Sequence, residues 1–434
     1  MTRHVRRHPP RPALVALLAS VALVAACTAG VAVALQPWSA STAATSGPTR
    51  VVASPEPSPT PTPTPTADPD ASFTIVAGGD VLAHVPVVRS AEKAGGWGAL
   101  LDPLRPWVEG ADLALCHLEV PVAPPGTTVS GYPLFAAPAS LVPALHDQGW
   151  DGCSTASNHS VDKGFAGVDA TLDALDAAGM GHVGTARSEA EADQPQLYRL
   201  ERAGQTITVA HLSATYGTNG MPVPEGKPWS VSLIDVPALV EQARAARAAG
   251  ADLVVASVHC CVEYRTEPTD EQAAMDQALA DSGQIDLVIG HHAHVPQPVA
   301  RLDGGPGGAG MWVAYGLGNF LSNQDSDCCS PKTDSGLLLT AHVSSPGAFP
   351  AEGREAGPAR VTGVEWTPIT VDRVGGHRVY ALPEITDGAG RLSAQAVRSR
   401  TERVVAAAGD AAPERTEPVT PSGPAAVVVE RTGG

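Results

Sequence analysis

Seven short apolar runs, rich in β-branched residues and free of polar alternation, each lead into residues with metal-binding or acid–base chemistry. Phe73–Ala77 runs into Gly78-Gly79-Asp80, Asp112–Cys116 into His117-Leu118-Glu119, and Gly152–Ala156 into Ser157-Asn158-His159. Ile207–Ala210 meets His211, Asp252–Val258 meets His259, and Met311–Tyr315 meets Gly316-Leu317-Gly318-Asn319. The densest case is Asp286–Ile289, followed by Gly290-His291-His292-Ala293-His294. Runs of this kind read as strands buried on both faces of an α/β sheet, and the carboxyl ends of such strands host the active site. Asp80, Glu119, Asn158, His159, His259, His292 and His294 are therefore expected along one edge. An extended backbone would point His292 and His294 to the same face. Each residue also has a bland reading: Asp80 as a turn cap, Asn158 and His159 as a helix cap, His259 as a core histidine. Agreement among the strand ends favours a site. His117 and His211 carry less weight.

Both ends of the chain differ from this pattern. Arg3, Arg6, Arg7 and Arg11 precede an uncharged run of 23 residues from Ala13 to Leu35, long enough to span a bilayer with the basic flank inside. Val24-Ala25-Ala26-Cys27 resembles a lipobox. Residues 1–38 thus read as a signal anchor or a lipoprotein signal, with ordinary cleavage third. The expected location is the cell membrane, with the domain on its extracytoplasmic side. Residues 39–70 form a Pro/Thr/Ser-rich disordered linker favouring extended geometry, and residues 386–434 read as a weakly ordered tail. Between them, 71–385 is about the size of one large α/β domain.

Helix signals separate the strands: Asp162–Met180, Asp235–Ala249 and a capping box at Thr269–Gln272. The formal net charge of −17 excludes a nucleic-acid partner. Setting aside Cys27, six cysteines remain, and in an exported chain they favour disulfides. The simplest pairing bridges Cys260 or Cys261 to Cys328 or Cys329, because both pairs follow expected strand ends. Zinc binding by these cysteines is the rival.

Several motifs stand in a fixed order: Gly79-Asp80, Leu118-Glu119, Ala156-Ser157-Asn158-His159 with Asp162 and Gly164, Val258-His259 with Glu263-Tyr264, Gly290–Val295, and Leu317-Gly318-Asn319-Phe320. This set resembles that of the bacterial CapA family, associated with poly-γ-glutamate capsule biosynthesis and related to calcineurin-like metallophosphoesterases. The resemblance covers about Phe73 to Val371. It implies a metallophosphatase-like four-layer αββα sandwich and a two-metal-type site. His117, Ser157 and Cys260-Cys261 depart from the family's usual residues, and the last change alters the substrate contacts after His259. No histidine follows Asp80 at the spacing typical of metallophosphoesterases, which weakens one metal position; His84 is a poorly spaced substitute.

The donor types suggest the chemistry. Asp80 and Glu119 offer hard oxygens, Asn158 a carbonyl oxygen, and His259, His292 and His294 borderline nitrogens, a mixture suited to one or two Mn, Zn or Fe ions. His159 could protonate a leaving group, with Asp162 orienting its ring. His291, Glu263, Tyr264 and Asn319 are candidates for substrate contact, although Asn319 could instead fix its loop. Three functions are compatible with this reading: a surface-anchored metal-dependent hydrolase or transferase acting on poly-γ-glutamate or a similar envelope polymer, an extracellular metallophosphoesterase, and a non-catalytic polymer-export or scaffold subunit. Capsule synthesis or export proteins are the expected partners.

Overall fold

The computed structural model describes residues 68–349 and 352–431. The expected membrane segment and nearly all of the linker lie outside these residues. Among the described residues, no helix is long and apolar enough to cross a membrane. In chain order the strands are β1 (Ala71–Val81), β2 (Leu113–Leu118), β3 (Gly152–Ser154), β4 (Gly181–Val183), β5 (Gln196–Arg202), β6 (Gln205–Thr215), β7 (Leu253–His259), β8 (Leu287–His291) and β9 (Val299–Leu302). There follow β10 (Met311–Ala314), β11 (Asn319–Leu321), β12 (Ser335–Ser345), β13 (Arg360–Asp372), β14 (Arg378–Ala381), β15 (Gly388–Ala389), β16 (Leu392–Ser393) and β17 (Val427–Val429). The helices are α1 (Val85–Ala94), α2 (Gly98–Leu101), α3 (Arg105–Glu109), α4 (Leu141–Gln148), α5 (Gly164–Ala177), α6 (Glu189–Ala192), α7 (Val236–Ala248), α8 (Asp270–Asp281) and α9 (Ala394–Ala408).

Two large sheets carry the fold, in the orders β14-β13-β12-β1-β2-β3-β4, with β11 also on β1, and β17-β5-β6-β7-β8-β10-β9. Their centres are parallel (β1, β2, β3 and β4; β6, β7, β8 and β10), and the flanking strands are antiparallel. Side chains of β1 alternate between two cores, as strand periodicity requires. Phe73, Ile75 and Ala77 face the second sheet, meeting Val209, Val255 and Ile289, while Val76 faces Val87, Leu141 and Leu172 of the helices. On the far side, Val254 and Val288 pack against Leu239 and Leu279 of α7 and α8. The layers are therefore helix, sheet, sheet, helix.

The helix signals are realised by identifiable caps: Thr269 accepts from the Gln272 N–H at the start of α8, and Asp235 from the Ala238 N–H at the start of α7. The tail differs from its reading as weakly ordered. α9 buries Val404 and Ala408 in the core between the sheets, Ser422 donates its N–H to Asp112, and β17 pairs antiparallel with the edge strand β5. A composition rich in Ala and Pro carries no record of such long-range partners.

Candidate metal centre

The parallel centres of both sheets end at the same edge. Asp80 lies in register with His117 and with Asn319, and His259 with His291. The glycines preceding the acids and histidines permit close backbone approach. A Cβ on Gly79 would stand 2.0 Å from the Gly318 carbonyl oxygen, and one on Gly290 would stand 1.9 Å from that of Tyr315. The extended geometry expected for His292 and His294 is not what forms. β8 stops at His291, and both histidines occupy left-handed backbone, with φ of 81° and 56°. Non-glycine residues adopt that region at a cost, so the chain turns here instead of alternating.

The turn brings the donors together. His294 Nδ1 is 3.0 Å from Asp80 Oδ2, and its Nε2 is 3.7 Å from Glu119 Oε1 and 4.0 Å from Glu263 Oε1. His291 Nδ1 is 3.3 Å from Asp80 Oδ1 but is not aligned for a hydrogen bond. Three groups of ligand atoms each fall within 4.8 Å: Asp80, His117 and His291; Asp80, Glu119 and His294; and Glu263, His292 and His294. Asp80 is common to the first two groups. Asp80 Oδ1, both Glu119 carboxylate oxygens, both His291 ring nitrogens and His292 Nδ1 are buried without a hydrogen-bond partner among the described residues. Buried carboxylates left unpaired are costly, so this donor set fits divalent cations.

The electrostatics are those of a crowded, dry site. Burial pushes the Asp80 carboxyl up, but His291 and His294 outweigh it and hold the group well below the ordinary range. Burial raises Glu119 well above it, with His294 opposing. Burial disfavours the charged form of His294, yet Glu119 and Asp80 lift it to about 9. Burial takes His292 down to about 3, with the neighbouring His294 adding to the shift.

A cavity of about 460 Å³ opens over this cluster, lined by His159, Glu263, Tyr264, His294, Tyr132 and Gln324 among others. At its wall, Asp162 Oδ2 accepts from His159 Nδ1 at 2.7 Å and from the Phe135 N–H at 2.7 Å. This assigns the proton to Nδ1 and leaves Nε2 of His159 for chemistry.

Residues 74–324 match the family model described as bacterial capsule synthesis protein PGA_cap. The chain belongs to this family. The capsule-synthesis relatives include the PGA biosynthesis protein CapA of Bacillus subtilis, 27% identical over 51% of this chain and 55% of that protein. The capsule biosynthesis protein CapA of Bacillus anthracis is 26% identical over 52% and 54%. The chain thus spans little more than half the length of these two relatives. Among solved structures, the NAD nucleotidase of Haemophilus influenzae aligns with a TM-score of 0.40 at 11% identity, covering 80% of this chain and 58% of that one.

In this capsule-family chain, the expected site residues fall into distinct places. Asp80, Glu119, His292 and His294 join the ligand groups. His259 Nδ1 lies 2.9 Å from His117 Nε2, and its Nε2 lies 2.9 Å from Asn158 Oδ1 and 3.9 Å from Glu119 Oε1. His291, expected to contact substrate, is buried beside Asp80 and stacked on His117, with ring centroids 4.0 Å apart. Glu263 and Tyr264 do line the cavity. Asn319 accepts from His294 Nδ1 at 3.2 Å and donates to Gln324 and the Thr333 carbonyl, holding both His294 and the loop. His211 is mid-strand, 2.8 Å from Ser257 Oγ, because β6 continues to Thr215. His84 lines the cavity but enters none of the ligand groups.

His117, two residues before Glu119 at the end of β2, joins Asp80 and His291 in one ligand group. Asn219, for which the sequence carried no signal, accepts from Asn158 Nδ2 at 3.2 Å and lies 3.5 Å from His159 Nε2. The disulfides also differ from the expected pairing: Cys116 joins Cys153 between β2 and β3, Cys260 joins Cys261, and Cys328 joins Cys329. Register places Cys116 opposite Cys153, a proximity that cysteine order alone does not disclose.

Proposed function

We propose that this chain is a metal-dependent hydrolase or transferase acting on the γ-glutamyl amide bonds of an envelope polymer such as poly-γ-glutamate, anchored outside the membrane by its N-terminal segment. The observation that carries this reading is the set of buried, unpartnered ligand atoms beneath an open cavity. Asp80, Glu119, His117, His291, His292, His294 and Glu263 would hold the ions. When bound, divalent Mn, Zn or Fe would supply positive charge to polarise a carbonyl and acidify water.

The remaining steps fall to the chain's own groups. In hydrolysis His159 Nε2 takes a proton from the water as the water oxygen bonds to the amide carbon, and passes that proton to the departing nitrogen as the C–N bond breaks. In transfer, an incoming amine takes the place of water. Asp162 holds the His159 ring for both roles. The relatives' capsule roles and three disulfides, at home in an oxidising compartment, support the polymer and the location.

The test is metal analysis of the purified protein, followed by incubation with poly-γ-glutamate and with an aryl phosphodiester. Metal-dependent change in γ-glutamyl chain length supports the proposal. Phosphodiester cleavage with an intact polymer would overturn it. For the anchor, protease added to intact cells should release the domain, and full-length protein in the cytosol would refute that part.

A further inference from the structure

A second cavity, of about 590 Å³, lies between the end of α1 and the β13–β14 turn, and Lys93, Arg373, Arg378 and Arg391 line it. Such clustering is unexpected in a chain with 28 basic and 45 acidic side chains. Arg373 is already committed, paired with Asp325 and Asp327. Lys93, Arg378 and Arg391 are exposed and form no ion pair among the described residues; Arg378 donates only to the Ala99 carbonyl, at 3.2 Å. Asp372, at the β13–β14 turn, is buried, and its carboxylate accepts from the Gly375 and Arg391 N–H groups. A Cβ at Gly375 would stand 1.8 Å from Asp372 Oδ2, so the turn requires glycine there and leaves this part of the wall without a side chain.

Helix α1 and a chain of hydrogen bonds connect the groove to the metal-site cavity. Helix α1 starts at His84, which lines the site cavity, and ends beside Lys93, a separation of about 15 Å for ten residues. Ser90 Oγ donates to His377 Nδ1 at 2.8 Å, His377 Nε2 donates to Asn323 Oδ1 at 2.9 Å, and the Asn323 N–H points to His84 Nδ1 at 3.4 Å. Asp325, which holds Arg373, follows directly on Asn323 and Gln324 of the site cavity.

We propose that this basic groove binds a carboxylate-bearing segment of an anionic polymer and holds it so that a neighbouring segment enters the site cavity. The identity of that polymer, a γ-linked polyglutamate, rests on the proposed function; the charge complementarity does not. A molecule of net charge −17 repels a polyanion at long range, so binding requires a local reversal of sign, and the groove supplies it.

The experiment uses fluorescently labelled poly-γ-glutamate and full-length protein in the presence of chelator, read by anisotropy across a salt series. Wild-type protein should bind, and the triple variant Lys93→Glu/Arg378→Glu/Arg391→Glu should bind on the order of tenfold or more weakly with a flatter salt dependence. The three residues are exposed and none belongs to a ligand group, so thermal midpoint and metal content should match wild type; the milder triple glutamine variant gives an intermediate affinity. Equal affinity of wild type and both variants overturns the inference, as does absence of wild-type binding or stronger competition by polyphosphate than by polyglutamate. Binding through the groove without any turnover would leave the inference standing and defeat the proposed reaction. Turnover of a short γ-glutamyl peptide that survives the triple substitution, while that of the long polymer falls, would support both.

Discussion

Asp80 couples the halves of the site because its two oxygens face different histidines, His291 at Oδ1 and His294 at Oδ2. Its place in two ligand groups makes a stoichiometric prediction. Asp80→Asn should lose the ions of both groups it joins, whereas His117→Ala should lose only the ion of the group with His291 and retain one at Asp80, Glu119 and His294. Elemental analysis after dialysis decides between this pattern and equal loss in both variants, which would deny Asp80 a shared role. Asp162 works differently, since its Oδ2 touches His159 and the Phe135 N–H but enters no ligand group. Asp162→Asn should therefore keep metal content and lower kcat on the order of 10²-fold to 10⁴-fold, because an amide no longer fixes the His159 tautomer. An unchanged pH–rate profile with a lowered rate would mark the effect as merely structural.

At the level of elements, most strand ends were legible because a two-face-buried strand leaves a continuous apolar run, although β6 runs past His211 to Thr215, and the helices because Thr269 and Asp235 cap them locally. The turn at His292 and His294 was not legible. Its left-handed backbone is imposed by close approaches such as Gly290 to Tyr315, which join distant segments. The same limit hid the tail and the Cys116–Cys153 pair. Here the tail makes a prediction of its own. Ser422 caps Asp112, which also holds the buried Arg202 guanidinium at 2.7 Å, and β17 covers the edge of β5. Truncation after Pro418 would strip a partner from a buried ion pair and expose a strand edge. The truncated protein should lose about 1–3 kcal/mol of stability and aggregate more readily, a change read from its urea midpoint. A midpoint equal to that of the full chain would show the tail to be a passive covering.

Across the whole molecule, the helix, sheet, sheet, helix stacking buries acids that no catalytic role requires. Asp276 on α8 is the clearest: burial raises it from 3.8 to about 8, and its Oδ1 has no partner among the described residues. The sign of the consequence follows from linkage. A carboxyl whose folded pKa lies above its unfolded value favours folding fully below about 4, and that contribution is lost as pH rises to about 8, since the unfolded chain ionises first. Asp151, raised to about 7 by burial, acts in the same direction. Stability should therefore decline between pH 4 and pH 8 at up to roughly 1.4 kcal/mol per pH unit for each such group. Asp276→Asn keeps the size and a polar head but cannot ionise. Its denaturation midpoint should fall less steeply over that interval than that of wild type, with the largest gain near pH 8, where wild-type Asp276 must carry a buried charge or unfold. Parallel midpoint curves for the two proteins would show that Asp276 is solvated in the folded state.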